Sequence, residues 1–139
     1  MDIPVSVHKN YIKRGAILRS DIFNEIDHGK FFAIIGVSNN IVAGFFFINS
    51  RINPTIMKRQ ELLELQFLLR QDDYDFLKYD SYLSATVIQK LSVEELVSSI
   101  SNGRTNYVAN LTEPDLMHIL EVCRVSRLFK ESEKREYLS

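Results

Sequence analysis

Lys78 and Asp80 stand two residues apart in the run Tyr74-Asp75-Phe76-Leu77-Lys78-Tyr79-Asp80-Ser81-Tyr82-Leu83. The run reads as a strand, in which side chains alternate between faces. Phe76, Lys78, Asp80 and Tyr82 then share one face, and Leu77, Tyr79, Ser81 and Leu83 the other. Twice the strand rise sets the two residues about 7 Å apart. A pair so placed serves one of two ends. It is a same-face ion pair on a solvated strand, or it is a cation and a proton-transfer group aimed at a charged substrate. Ser50, at the end of another expected strand, is within reach of the same place. Other chemistries lack their residues. No glycine-rich phosphate loop, nucleophile elbow or His-Glu-x-x-His motif is present. One cysteine (Cys123) and three histidines (His8, His28, His118) show no paired ligand spacing. Hence no metal site and no cofactor are expected. His118 reads as an ordinary helix residue, and Cys123 as a small core hydrophobe.

The elements that must position these residues change character along the chain. From Gly15 to Leu83 the pattern is that of strands. Ala16-Ile17-Leu18-Arg19-Ser20 follows a glycine turn. Phe31-Phe32-Ala33-Ile34-Ile35-Gly36-Val37 is apolar on both faces, as in a buried strand. Ser38-Asn39-Asn40 separates it from the apolar run 41–48, and two asparagines predict a tight hairpin there. Gly36 and Gly44 interrupt these strands, as glycines do where a small sheet bends or bulges. Residues 62–69 read as a further strand, although 61–64 would also accept a helical turn. Asp72-Asp73 predicts a turn.

Beyond this the period becomes helical. Ser92-Val93-Glu94-Glu95 has the capping-box pattern, and Val93, Leu96, Val97 and Ile100 form one stripe stopped by Gly103. Thr112-Glu113-Pro114-Asp115 repeats the start signal, with Leu116, Ile119, Leu120 and Cys123 as the inward face. Helices are thus expected over 93–102 and 113–129. The charged tail from Glu131 to Ser139 is expected to fray. Strands followed by helices make the fold class α+β, a small, strongly bent sheet or partly open barrel over 12–83 with the helices on an open side or edge.

The chain has 139 residues, 45% hydrophobic and 25% charged, values of a single ordinary domain over 1–139. A net charge of −1 excludes indiscriminate electrostatic binding of nucleic acid while leaving room for a local basic site. The apolar runs are far shorter than the roughly 20 residues a bilayer requires, so no membrane partner is expected. Residues 1–10 show no apolar core of a signal peptide, and a lone cysteine suits a reducing compartment. A cytoplasmic location is the expectation.

Two stretches resemble the MazF/PemK (Kid) family of toxin ribonucleases. Gly15-Ala16-Ile17-Leu18, Ile34-Ile35-Gly36-Val37-Ser38 and Phe47-Ile48-Asn49-Ser50 resemble that family's first three strands. Phe76 to Leu83 is similar to its strand with a basic residue two positions before an aspartate. The resemblance covers about residues 12–128 and implies an SH3-like barrel, a homodimer, an RNA substrate and a small antitoxin partner. It puts Lys78 at the catalytic arginine, Asp80 at its acidic partner and Ser50 at the Thr/Ser position. Arg19, His28 and Lys30 would line the RNA groove. Metal-free cleavage uses the substrate's 2′-hydroxyl, a base, an acid and cations around the phosphoryl oxygens. Three positions depart from the family. Lys78 lacks the planar fork of arginine, Ala16 stands where the family has Asp, and Lys30-Phe31-Phe32 stands where it has Arg-Pro. The alternative expectation is therefore a catalytically inactive barrel acting as a protein-binding module.

Overall fold

Continuous apolar runs and two turn-forming asparagines build the centre of the sheet. The computed structural model describes residues 11–22, 30–48 (backbone alone at 46–48), 52 and 54–139. Its strands are β1 (Ala16–Ser20), β2 (Lys30–Ser38), β3 (Ile41–Ile48), β4 (Gln66–Leu69), β5 (Ser81–Ser92) and β6 (Thr105–Asn110). All pairings are antiparallel, in the order β4-β5-β3-β2-β1-β6, and the sheet curls strongly into a half-barrel. Asn39 and Asn40 join β2 to β3 with φ of 50° and 64°, the positive pair of a two-residue hairpin. The β2/β3 register shifts between Ile34 and Gly36, and the β3/β5 register between Gly44 and Phe46. The two glycines thus sit where the sheet bends.

Helices α1 (Pro54–Met57) and α2 (Gln60–Leu63) precede β4, α3 (Val93–Ser101) follows β5, and α4 (Glu113–Val125) follows β6. Ser92 and Thr112 cap α3 and α4 by accepting from the backbone N–H of Glu95 and Asp115. Consecutive residues of β1 and β2 enter different cores, so both faces of the sheet are covered. Ile17, Ala33, Ile35 and Phe45 meet Ile119, Leu120 and Cys123 of α4 in the larger core. Ala16, Leu18, Phe32, Ile34 and Val42 meet Val93, Leu96 and Val97 of α3 in the smaller. The fold class is α+β, as expected.

Three expectations are corrected. Residues 74–80 are not strand, because β5 begins at Ser81. Tyr74 and Leu77 are both buried and Leu77 N–H donates to the Tyr74 carbonyl at 3.0 Å, the spacing of a turn rather than of alternation. The sheet also runs past residue 83: β5 continues to Ser92, and β6 is an added edge strand to which the sequence pattern assigns no element.

The tail does not fray. Glu131–Glu133 starts a helical turn that continues as Lys134–Leu138, and Tyr137 and Leu138 are buried in the larger core. Arg14 holds it, donating from Nε to the Ile35 carbonyl and from one terminal nitrogen to Tyr137 O, both at 2.8 Å. Lys90 pairs with Glu133 at 3.2 Å from the β5 side.

A Cβ on Gly36 would collide with the Tyr137 backbone. Gly103, by contrast, has open space around it and a φ of +83°. Gly36→Ala should therefore cost about 1–3 kcal/mol by overpacking, and Gly103→Ala about 1 kcal/mol by left-handed strain alone. Urea unfolding of the two variants checks the order. Equal losses would mean that the tail is not seated on β2.

Candidate functional site

The segment between β4 and β5 is shaped by its own polar side chains. A short 3-10 turn, Gln71–Asp73, opens it. Asp80 Oδ1 accepts from the Gln71 backbone N–H at 2.8 Å, and Gln71 Nε2 donates to the Lys78 carbonyl at 2.9 Å. These bonds close residues 71–80 into a loop, the kind of side-chain-to-backbone competition that displaces a strand. Lys78 and Asp80 are both exposed on it. The same-face strand geometry expected for the pair does not apply, and no ion pair joins them.

Tyr74 ties this loop to α4. Its ring is 2% exposed, and its hydroxyl donates to Asp115 Oδ2 at 2.6 Å while accepting from Thr112 N–H at 3.0 Å. Burial, followed by the bond to Asp115, raises the phenol from its ordinary 10.0 to about 12. Next to it, Phe76 packs on Phe31 with ring centroids 4.8 Å apart.

Arg19 faces Phe31 across the β1/β2 ladder and is exposed. It shares the sheet face of Ile17 and therefore lies on the larger-core side with Phe31. Lys30 opposes Ser20 and shares the face of Phe32, the other side of the sheet. It is the first residue of β2 rather than part of a preceding loop. The fold thus gathers Arg19 and the Lys78–Asp80 loop around the Phe31–Phe76 pair and directs Lys30 elsewhere. Ser50 and His28 lie outside the described residues.

Other reactive groups among the described residues sit in packing positions. Cys123 is fully buried, and desolvation pushes its thiol from 9.0 to about 12. Such a thiol is a poor nucleophile. His118 is exposed on α4 with its ring edge-on to Phe67 at 5.5 Å. Ser20, Ser99 and Thr105 form a buried hydroxyl chain, with Thr105 Oγ1 at 2.6 Å from Ser20 Oγ and 2.7 Å from Ser99 Oγ. Ser99 in turn donates to the Leu96 carbonyl at 2.8 Å, so the chain fixes α3 to β1 and β6. Among the described residues no group of three or more His, Cys, Asp or Glu is placed to hold a metal ion. No helix among them is long and apolar enough to cross a membrane.

A second feature borders the loop and was not signalled by any motif. A trough runs between residues 73–76 and 108–110, where Asp73, Tyr74, Asp75 and Phe76 face Val108, Ala109 and Asn110 of β6. The sequence signals were there: three aspartates within four residues, and an uncharged β-forming run, Thr105-Asn106-Tyr107-Val108, after Gly103. Compared with known proteins, the chain matches no family model and no curated protein.

Two measurements test these assignments. Cys123 should resist a thiol alkylating agent in the folded chain and react on unfolding in urea, and rapid native labelling would contradict its burial. Tyr74→Phe should cost about 1–2 kcal/mol, chiefly by leaving Thr112 N–H without its acceptor. The raised phenol pKa gives this contribution a sign. Stability from Tyr74 is complete below pH 10 and declines as pH rises to about 12. The gap between wild type and Tyr74→Phe in denaturant midpoint should therefore narrow over that window.

Proposed function

We propose that this chain is a half-barrel binding module that engages a protein partner beside the 71–80 loop and does its work without catalysis. The observation that carries this reading is the use made of Asp80. The carboxylate best placed to act with Lys78 already accepts the Gln71 N–H and holds the loop in shape. The loop's other acids, Asp72, Asp73 and Asp75, are exposed and carry no ion pair among the described residues. Four aspartates against Arg70 and Lys78 make this surface repel phosphate.

A second reading is favoured by the position of Arg19. An exposed arginine beside two packed, mutually tilted aromatics, with Lys78 on the adjoining loop, is a small version of an RNA-contacting shelf. On this reading the chain is a MazF/PemK-like, metal-independent endoribonuclease. It would act as a homodimer controlled by a small antitoxin, with Lys78 stabilising the phosphoryl charge and Asp80 moving the proton.

Incubation of the purified chain with mixed-sequence RNA in excess chelator separates the two. The binding module leaves the RNA intact, and induced expression leaves growth unchanged. Cleavage that falls by about 10²-fold or more in both Lys78→Ala and Asp80→Asn would establish the nuclease instead. Asp80→Asn is the informative variant because its amide oxygen still accepts from Gln71. Asp80→Ala would lose the loop and the charge together.

A further inference from the structure

The two edges of the sheet are protected very differently. β4 has four residues, and its Phe67 ring lies against His118 of α4. β6 has six, Thr-Asn-Tyr-Val-Ala-Asn, with no charge and no proline, and among the described residues it pairs only with β1. Exposed edges usually carry a lysine, a proline or a cover, because their unpaired N–H and C=O groups template further strands. Among the described residues β6 carries neither a lysine nor a proline and no strand or helix lies along its outer side, although Tyr11 stacks on its Tyr107 with ring centroids 4.8 Å apart. Its one irregularity is a register shift against β1 that leaves Val108 as the unpaired residue, inside the trough.

The trough beside this edge has a floor and a charge. Half-buried Phe76 supplies aromatic surface near Val108 and Ala109, with Tyr74 buried beside it, and Asp73 and Asp75 of the same segment line the trough. Both carboxylates are exposed and make no ion pair and no side-chain hydrogen bond among the described residues. Among the described residues, the ionisable groups that line the trough are thus two unneutralised acids and the buried Tyr74 phenol, which is bonded to Asp115.

We propose that this trough docks a cationic, extended segment of a partner protein, which adds a strand to β6 and sets alternate Lys or Arg side chains against Asp73 and Asp75. This names the partner class for the binding-module reading above and rests on it. Strand addition gives main-chain hydrogen bonds, and alternate side chains give specificity. The irregularity at Val108 limits the pairing to a short stretch, so the carboxylates carry much of the selectivity and make the interaction salt-sensitive. RNA is the wrong ligand for this trough, because the same two acids repel its phosphates.

The test is fluorescence anisotropy of the full chain with labelled peptides of about ten residues that alternate Lys with Val. The expected result is saturable binding that weakens with salt and falls about tenfold in the Asp73→Asn/Asp75→Asn double variant. These side chains support nothing else among the described residues, so the double variant should unfold in urea with the parent. A Glu-Val peptide and an RNA oligonucleotide should not bind. A Lys-Val peptide N-methylated at alternate residues, unable to complete a ladder, should bind much more weakly. Unchanged affinity in the double variant, equal binding of the N-methylated peptide, or preference for RNA would each overturn the proposal. Failure of the peptide with RNA left intact sinks this inference alone. RNA cleavage sinks the binding-module reading itself.

Discussion

The close approach of the Tyr137 backbone to Gly36 is the constraint on which the larger core depends. A curled sheet that buries both faces needs a cover for each. α3 serves the smaller core, but α4 alone does not finish the larger one, which also takes in Phe129, Tyr137 and Leu138. The chain solves this by laying its last turn over β2 at the one residue without a Cβ. Once there, the tail's carbonyls need donors. Arg14 and Arg124 supply them, to Tyr137 and Leu138 respectively. Burial, and next the proximity of Arg124, lower the pKa of Arg14 from its ordinary value, which is the cost of gathering two guanidinium groups at one helical end. Arginine tolerates this because its intrinsic pKa is so high that it stays charged.

The loop that closes the other side of the larger core is fixed by a different economy. Tyr74 is at once a buried ring, a donor to Asp115 and an acceptor for an otherwise unpaired amide at the start of α4. A single residue thus joins the β4–β5 connection to the helix that covers the sheet. With Tyr74 and Leu77 directed inward, the intervening and flanking acids have nowhere to go but outward. The acidic rim of the trough is in this sense a by-product of how the loop is anchored. Its carboxylates are free to serve a partner because the fold does not use them.

Much of the fold was legible because its signals are local. The apolar strands, the Asn39-Asn40 hairpin, the bends at Gly36 and Gly44 and both helix caps each follow from a few neighbouring residues. The ambiguity at residues 61–69 was real, since a helical turn and a strand both occur there in succession. Failures fell where distant contacts decide. The sequence 131–139 looks like a charged, fraying end until Gly36 and Arg14 are seen to receive it. The segment 74–80 has strand composition, yet Tyr74 answers to Thr112 and Asp115, and Asp80 to Gln71. The partners of Tyr74 lie 38 and 41 residues away, and the Asp80–Gln71 bond spans nine, so neither shows in the residue-by-residue alternation of the segment.

That last failure bears directly on function. The reading of Lys78 and Asp80 as a reactive pair rested on alternation, and alternation holds only where a ladder enforces it. In the loop, Asp80 has a structural task, accepting the Gln71 N–H, that calls for a side-chain acceptor at this position without any chemistry. Lys78 contributes its carbonyl, which any residue could do, so nothing in the loop's architecture requires a lysine there. Lys78, exposed on a loop rich in aspartates, and Arg19, exposed across the ladder from Phe31, give this end of the protein a small basic shelf as well as an acidic trough. A partner that offered both a cationic strand and an acidic flank would satisfy the two surfaces at once, whereas RNA would satisfy only the first. The mixed charge of the surface thus argues for a protein ligand more strongly than either patch does alone.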